Sequence, residues 1–70
     1  MELNEMGVYA TVVDQGSFIK AAEKLSMPTS TVSRHVSQLE NKLGVRLLHR
    51  TTRRLKATEL GKLYFKHCLR

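Results

Sequence analysis

The sequence predicts a mainly α fold, in which a three-helix core is followed by a short β-hairpin and the start of a further helix. Three observations carry this expectation. Apolar residues recur at helical spacing in three segments before Gly44. Between Gly44 and Thr58 that spacing breaks into two short mixed segments around Thr51, Thr52 and Arg53. It resumes at Thr58 and is still running at Arg70.

Leu3, Met6, Ala10 and Val13 stand three or four residues apart, which places them on one stripe of a first helix over residues 3–14. Gly16, able to take a left-handed backbone, stops it. Ser17 is placed to cap a second helix whose apolar face is Phe18, Ala21, Ala22 and Leu25; its two alanines let a neighbour approach closely. Pro28 has no backbone donor and biases Met27 away from the helical region, so Ser26, Met27 and Pro28 form a brief interruption. A third helix then runs from residue 28 or 29 to Leu43, with Val36, Leu39 and Leu43 within about 40° of Val32. Gly44 ends it, and Val45 is placed to fold back on Leu39.

Residues 46–50 and 54–57 read as two brief strands around a tight turn, although the turn lacks the Asn-Gly or Asp-Gly pair of the clearest hairpins. Thr58 then offers a cap, and Glu59 suits the positive end of a helix. Leu60, Leu63, Tyr64 and His67 line one side of that last helix and are the candidate dimerisation residues.

The chain has 70 residues, enough for one small domain. A domain of this size buries only about 60% of the surface its unfolded form exposes, which leaves little room for an enclosed cofactor or substrate pocket. No cofactor is expected, and an enzyme is disfavoured. Cys68 is the one cysteine, so neither an intrachain disulfide nor a zinc site is available as a staple. No apolar run approaches the roughly 18 residues of a membrane span. Met1, Glu2, Leu3, Asn4 and Glu5 lack the basic start and apolar stretch of an export signal, so a cytoplasmic protein is expected.

The formal charge of +6 is unevenly placed. Residues 1–45 carry four basic and five acidic side chains, whereas from Arg46 onward eight basic side chains face Glu59 alone. A polyanion is the obvious partner for that second half, although anionic lipid would satisfy the same charge.

The side of the third helix opposite its apolar stripe holds Ser30, Arg34, Ser37 and Asn41, with Ser33 beside them. Glu40, its only carboxylate, lies to the side and late in the helix. The first two turns therefore present hydroxyls, peptide donors and one guanidinium, groups that bond phosphate oxygens or engage guanine in a major groove. Arg50, Arg53 and Arg54 gather around the protruding turn, where a side chain can enter a minor groove. Either feature alone reads equally well as an ordinary solvated surface. Together they describe a winged helix-turn-helix, a groove-reading helix with a flanking wing.

Ser17, Phe18, Ala21, Ala22 and Leu25, then Ser30, Val32, Ser33, Arg34, Leu39, Glu40, Leu43, Gly44, Leu47, Leu48, Arg50, Arg53, Thr58 and Gly61 resemble the DNA-binding domain of LysR-type bacterial transcriptional regulators. The resemblance covers essentially the whole chain. It implies a winged helix-turn-helix over residues 1–57 and the beginning of a linker helix over 58–70, which pairs with its partner's in a homodimer. A ligand-sensing domain would follow, so the chain is expected to be an excised domain or a sequence from which the rest was not included, with higher oligomers formed only when that domain is present. By resemblance, Thr29, Ser30, Ser33 and Arg34 are the major-groove and phosphate contacts and Arg53 the wing residue at the minor groove. The full set of candidate DNA contacts adds Lys20, Thr31, Ser37, Arg50 and Arg54. Thr29 stands where the family often has Gln, and Ala57 and Leu60 stand where a larger and a smaller residue are common, an apparent local exchange of core volume.

Two other classes are weaker. A nucleophilic relay of Ser33, His35 and Asp14 fails because Ser33 and His35 diverge by roughly 200° on a helix, and His35, His49 and His67 with Cys68 lack metal-ligand spacing. The remaining alternative is a basic helical interaction or dimerisation module with only non-specific nucleic-acid affinity. A membrane-surface helix would want a broader apolar face and would leave the wing arginines without a role. The expected partners are therefore double-stranded DNA and a second copy of the chain, with no membrane.

Overall fold

The structure, a computed structural model, describes residues 4–50 and 55–68. Helix α1 (Glu5–Gln15) starts at Asn4, whose extended backbone lets Oδ1 accept the Gly7 N–H at 2.9 Å. This side-chain oxygen satisfies one of the amides that a helix start leaves without an internal partner. Gly16 ends α1 in the left-handed conformation (φ 70°). Ser17 then caps α2 (Phe18–Leu25), its Oγ accepting the Lys20 N–H at 3.2 Å.

The turn into α3 (Thr29–Leu43) is sharper than the proline alone would make it. Ser26 adopts φ 55°, the one described non-glycine residue in the left-handed region. Its N–H donates to the Glu23 carbonyl at 3.2 Å, and the Met27 N–H donates to Ala22 at 3.1 Å. These two crossed bonds close the C-terminus of α2, and Pro28 only prevents the helix from continuing. At the far end of α3, Gly44 (φ 69°) and Val45 both donate to the Glu40 carbonyl.

The expected hairpin is present, with β1 (Leu48–Arg50) antiparallel to β2 (Leu55–Ala57) and Leu48 opposite Ala57. Its tip lies outside the described residues. Thr58 caps α4 (Glu59–Cys68) as the sequence suggested, its Oγ1 accepting the Gly61 N–H at 2.9 Å.

Val8, Tyr9, Val12, Ala21, Ala22, Val32, Val36, Leu39, Leu47 and Leu48 form one core. Fully burying an aliphatic side chain is worth about 1.5–3 kcal/mol, against about 0.5–1.5 kcal/mol net for a ladder hydrogen bond. Leu47 and Leu48, both sealed in the core, thus anchor the foot of the hairpin more firmly than its three-residue ladder does.

Three expectations need correction. The buried face of α1 is Val8, Tyr9 and Val12, whereas Met6, Ala10 and Val13 are half-buried; Leu3 lies outside the described residues. Since α1 packs against α2, α3 and α4 at once, it carries apolar residues around most of its circumference, and spacing alone does not select the face. Leu43 is 42% exposed. Lys42 already reaches the first turn of α1, where it pairs with Glu5, so Leu43 projects beyond the cover that α1 provides.

The third correction concerns α4. Its inward residues are Gly61, Tyr64, Phe65 and Cys68, while Leu60 and Leu63 are 52% and 64% exposed and His67 is exposed. Tyr64 therefore turns onto its own core, edge to face with Tyr9 at a centroid distance of 5.7 Å. The reason is Gly61, a position without a side chain and hence without a hydrophobic signal. A Cβ there would lie 2.1 Å from the Leu47 carbonyl oxygen and 2.7 Å from the Tyr9 hydroxyl. With Leu60 exposed, it exchanges no volume with Ala57, which instead lines an apolar depression with Val13, Leu63 and Phe65.

Two measurements check this packing. Gly61→Ala is expected to lower stability by about 1–3 kcal/mol or more in urea denaturation, because the obstruction is main chain and cannot swing aside. The buried Tyr9 hydroxyl donates to the Gly61 carbonyl at 2.9 Å, and burial pushes its pKa up to about 12. The phenol is thus held neutral in the fold, and its stabilising effect is complete below about pH 10 and lost as pH rises towards 12. Wild-type stability should fall by on the order of 2–3 kcal/mol more than that of Tyr9→Phe over that interval.

Candidate nucleic-acid interface

The candidate residues fall on α2, α3 and the hairpin. On α3, Thr29, Ser30 and Arg34 are exposed, and Thr31, Ser33 and Ser37 are half-exposed. Val32, Val36 and Leu39 on the opposite side are buried, so core packing turns the hydroxyl-bearing side outward. Lys20 is exposed in the first turn of α2, directly after the Ser17 cap. The main chain of Arg50 pairs with Leu55 at the end of β1, but Arg53 and Arg54 lie outside the described residues, as does the Arg50 side chain.

The start of α3 is bare. Its N-cap is Pro28, which makes no side-chain capping bond, and the first turn contains no acidic residue. The Thr31 amide donates to the Pro28 carbonyl at 3.0 Å, and the positive end of the helix dipole carries no side-chain counter-charge in its first turn, which favours an anion there. Arg34 makes no ion pair with any described residue. The Glu5–Lys42 pair sits near the other end, about 12 Å along the axis from Arg34, beyond the screening length at physiological salt. A polar, cationic surface with no carboxylate in its first two turns can receive phosphate oxygens and reach base edges.

Glu40 does not belong to this outward face. It is only 9% exposed, and its Oε2 accepts the Leu47 N–H at 2.8 Å and the Leu48 N–H at 3.2 Å. From the sequence Glu40 reads only as a lateral carboxylate late in the helix. The signal that could have found it is its place at the edge of the buried arc, just before a glycine that reverses the chain.

The hairpin foot is tied from two further directions. Thr58 Oγ1 donates to the Arg46 carbonyl at 2.7 Å, and the Thr58 N–H donates to the Leu47 carbonyl at 3.0 Å. The Tyr9 hydroxyl lies 3.4 Å from that same Leu47 oxygen.

A catalytic relay does not assemble. The Asp14 carboxylate accepts from the Gln15 side-chain amide at 3.2 Å, and His35 Nδ1 is buried without a hydrogen-bond partner among the described residues. Among the described residues no helix is long and apolar enough to cross a membrane.

Residues 3–62 match the family model described as bacterial regulatory helix-turn-helix protein, lysR family. The chain belongs to the LysR family. Over 69 residues it is 55% identical to an HTH-type transcriptional regulator of Xanthomonas campestris pv. campestris (strain 8004), covering 99% of this chain and 20% of that protein. It is 54% identical over 66 residues to the HTH-type transcriptional regulator CrgA of Neisseria meningitidis serogroup C (strain 8013), covering 94% of this chain and 22% of the relative. The chain thus spans about a fifth of the length of these relatives.

Among solved structures, the LysR-family fold seen here is similar to the BenM DNA-binding domain in its complex with catB site 1 DNA. The TM-score is 0.92 at 36% identity, covering 99% of this chain and 77% of that one. The four helices and two-stranded sheet are those of a winged helix DNA-binding domain. The LysR relatives are transcriptional regulators, not enzymes.

Proposed function

We propose that this LysR-type domain binds double-stranded DNA sequence-specifically as a homodimer, with α3 in the major groove and Arg53 of the wing at the minor groove. The observation that carries the reading is the outward face of exposed Thr29, Ser30 and Arg34 with half-exposed Ser33, on a helix start free of carboxylates. It sits in a fold that matches a domain solved on DNA. Arg34 is the base reader, its guanidinium fork suited to guanine O6 and N7. Thr29, Ser30, Thr31, Ser33 and Ser37 supply hydroxyls to phosphates and base edges, and Lys20, Arg50 and Arg54 hold the backbone.

Residues 58–70 begin the linker helix. Its exposed Leu60 and Leu63, with His67 and the outer edge of Tyr64, pair with a second copy, so that two α3 helices meet half-sites about 34–36 Å apart. The protein acts in the cytoplasm, where regulated promoters are found, and effector sensing belongs to the rest of the regulator.

Selection of bound duplexes from a random pool, followed by salt titration of the best one, tests the reading. An enriched, two-fold related motif is expected; a steep salt slope with no motif would instead identify a non-specific basic module. Arg34→Ala should weaken binding to the selected duplex by about 1–3 kcal/mol and relax preference at one base pair. Lys20→Ala should weaken selected and scrambled duplex alike and lower the salt slope by about 1. Replacing Leu60 and Leu63 together by Glu should shift the chain towards monomer in sedimentation equilibrium while leaving its circular dichroism unchanged.

A further inference from the structure

A helix and a hairpin that meet one duplex must be held at a fixed mutual angle, since any freedom between them is lost on binding and weakens it. The chain between them does little to fix that angle. Gly44, Val45 and Arg46 are all exposed, and Gly44 is in the left-handed region. The angle is set by side chains instead. Tyr9 and Thr58 tie residues 46–48 to α1 and to the start of α4. Leu47 and Leu48 pack in the core with Val32, Val36 and Leu39 of α3, and the Glu40 carboxylate adds directed bonds from α3 to the same two residues.

Its position suits that role. Glu40 lies six residues beyond Arg34, about 9 Å along the same helix. One carboxylate oxygen receives the amides of Leu47 and Leu48, two consecutive peptides, the second of which opens β1. Two charge-assisted bonds from neighbouring peptide planes fix orientation as well as distance. The Glu40 side chain is also nearly enclosed, so water does not compete for those amides.

We propose that Glu40 is a positioning residue for DNA recognition: its carboxylate transmits the orientation of α3 to the hairpin, so that the wing's contacts with the duplex depend on it and those of Arg34 do not. The proposal rests on the reading that the hairpin brings Arg53 to DNA, which Arg53→Ala by itself tests. The competing account is that Glu40 merely satisfies two buried donors, in which case its loss weakens every contact equally.

Two thermodynamic cycles separate these accounts, with affinity for the selected duplex measured by fluorescence anisotropy. Glu40→Met fills the same space without an acceptor, and Glu40→Gln keeps an acceptor oxygen. Glu40→Met is expected to weaken binding about 5- to 10-fold in the wild-type and Arg34→Ala backgrounds, but less than about 2-fold in Arg53→Ala. Glu40→Gln should restore affinity to within about 2-fold. If Glu40→Met melts below the assay temperature, Glu40→Asp, which draws the carboxylate back by one methylene, is carried through the same cycles. Equal losses in all three backgrounds, no loss in any, or Glu40→Gln behaving like Glu40→Met would overturn the proposal while leaving the wing reading intact. Unchanged affinity for Arg53→Ala alone would overturn the wing reading, and the proposal with it.

Discussion

Three consecutive residues, Arg46, Leu47 and Leu48, are where the elements of this domain are fastened to one another. The segment precedes and opens a very short strand, so regular pairing cannot satisfy its first peptide groups, yet its two leucines are drawn wholly into the core. Buried main-chain donors and acceptors require partners. Glu40 takes two amides, and Thr58 supplies a hydroxyl to one carbonyl and an amide to the next. Tyr9 reaches the same carbonyl from below, and Gly61 is small enough to let α4 pass over it. The identities of residues 9, 40, 58 and 61, far apart in sequence, follow from one stretch of main chain.

That arrangement leaves the packing of α3 to its inner side. The core holds the helix by Val32, Val36 and Leu39, and the fastening of the hairpin falls to Glu40 at the flank. The outward positions of the first two turns can then hold small hydroxyl-bearing residues and a guanidinium that makes no ion pair among the described residues. A helix whose stability rested on its exposed face could not spare that face for a ligand.

The parts legible in the sequence were those signalled by local chemistry. Gly16, Ser17, Gly44 and Thr58 mark boundaries because each answers to backbone geometry within a few residues, and the structure uses each accordingly. The outward placement of Ser30 and Arg34 was legible too, because the valine and leucine stripe of α3 is one-sided. The burial of α1 was not, since a helix with neighbours on several sides has no single face to advertise. The docking side of α4 is not legible because it centres on Gly61, where the decisive property is the absence of a side chain. The role of Glu40 is not legible either, because its amide partners lie across a chain reversal, a relation that periodicity does not encode. In the left-handed turn at Ser26, composition pointed to Pro28 while the crossed bonds of α2 did the closing.

Pro28 has a consequence of its own. Asn4, Ser17 and Thr58 each lend a side-chain oxygen to the opening turn of their helices, but at Thr29 the fold withholds one. There the Thr31 amide turns to the Pro28 carbonyl instead, and a phosphate set before Thr29 would meet the positive end of the helix from outside. Folding and nucleic-acid association are then linked reactions, and the bound domain should resist heat better than the free one by an amount that grows with duplex concentration.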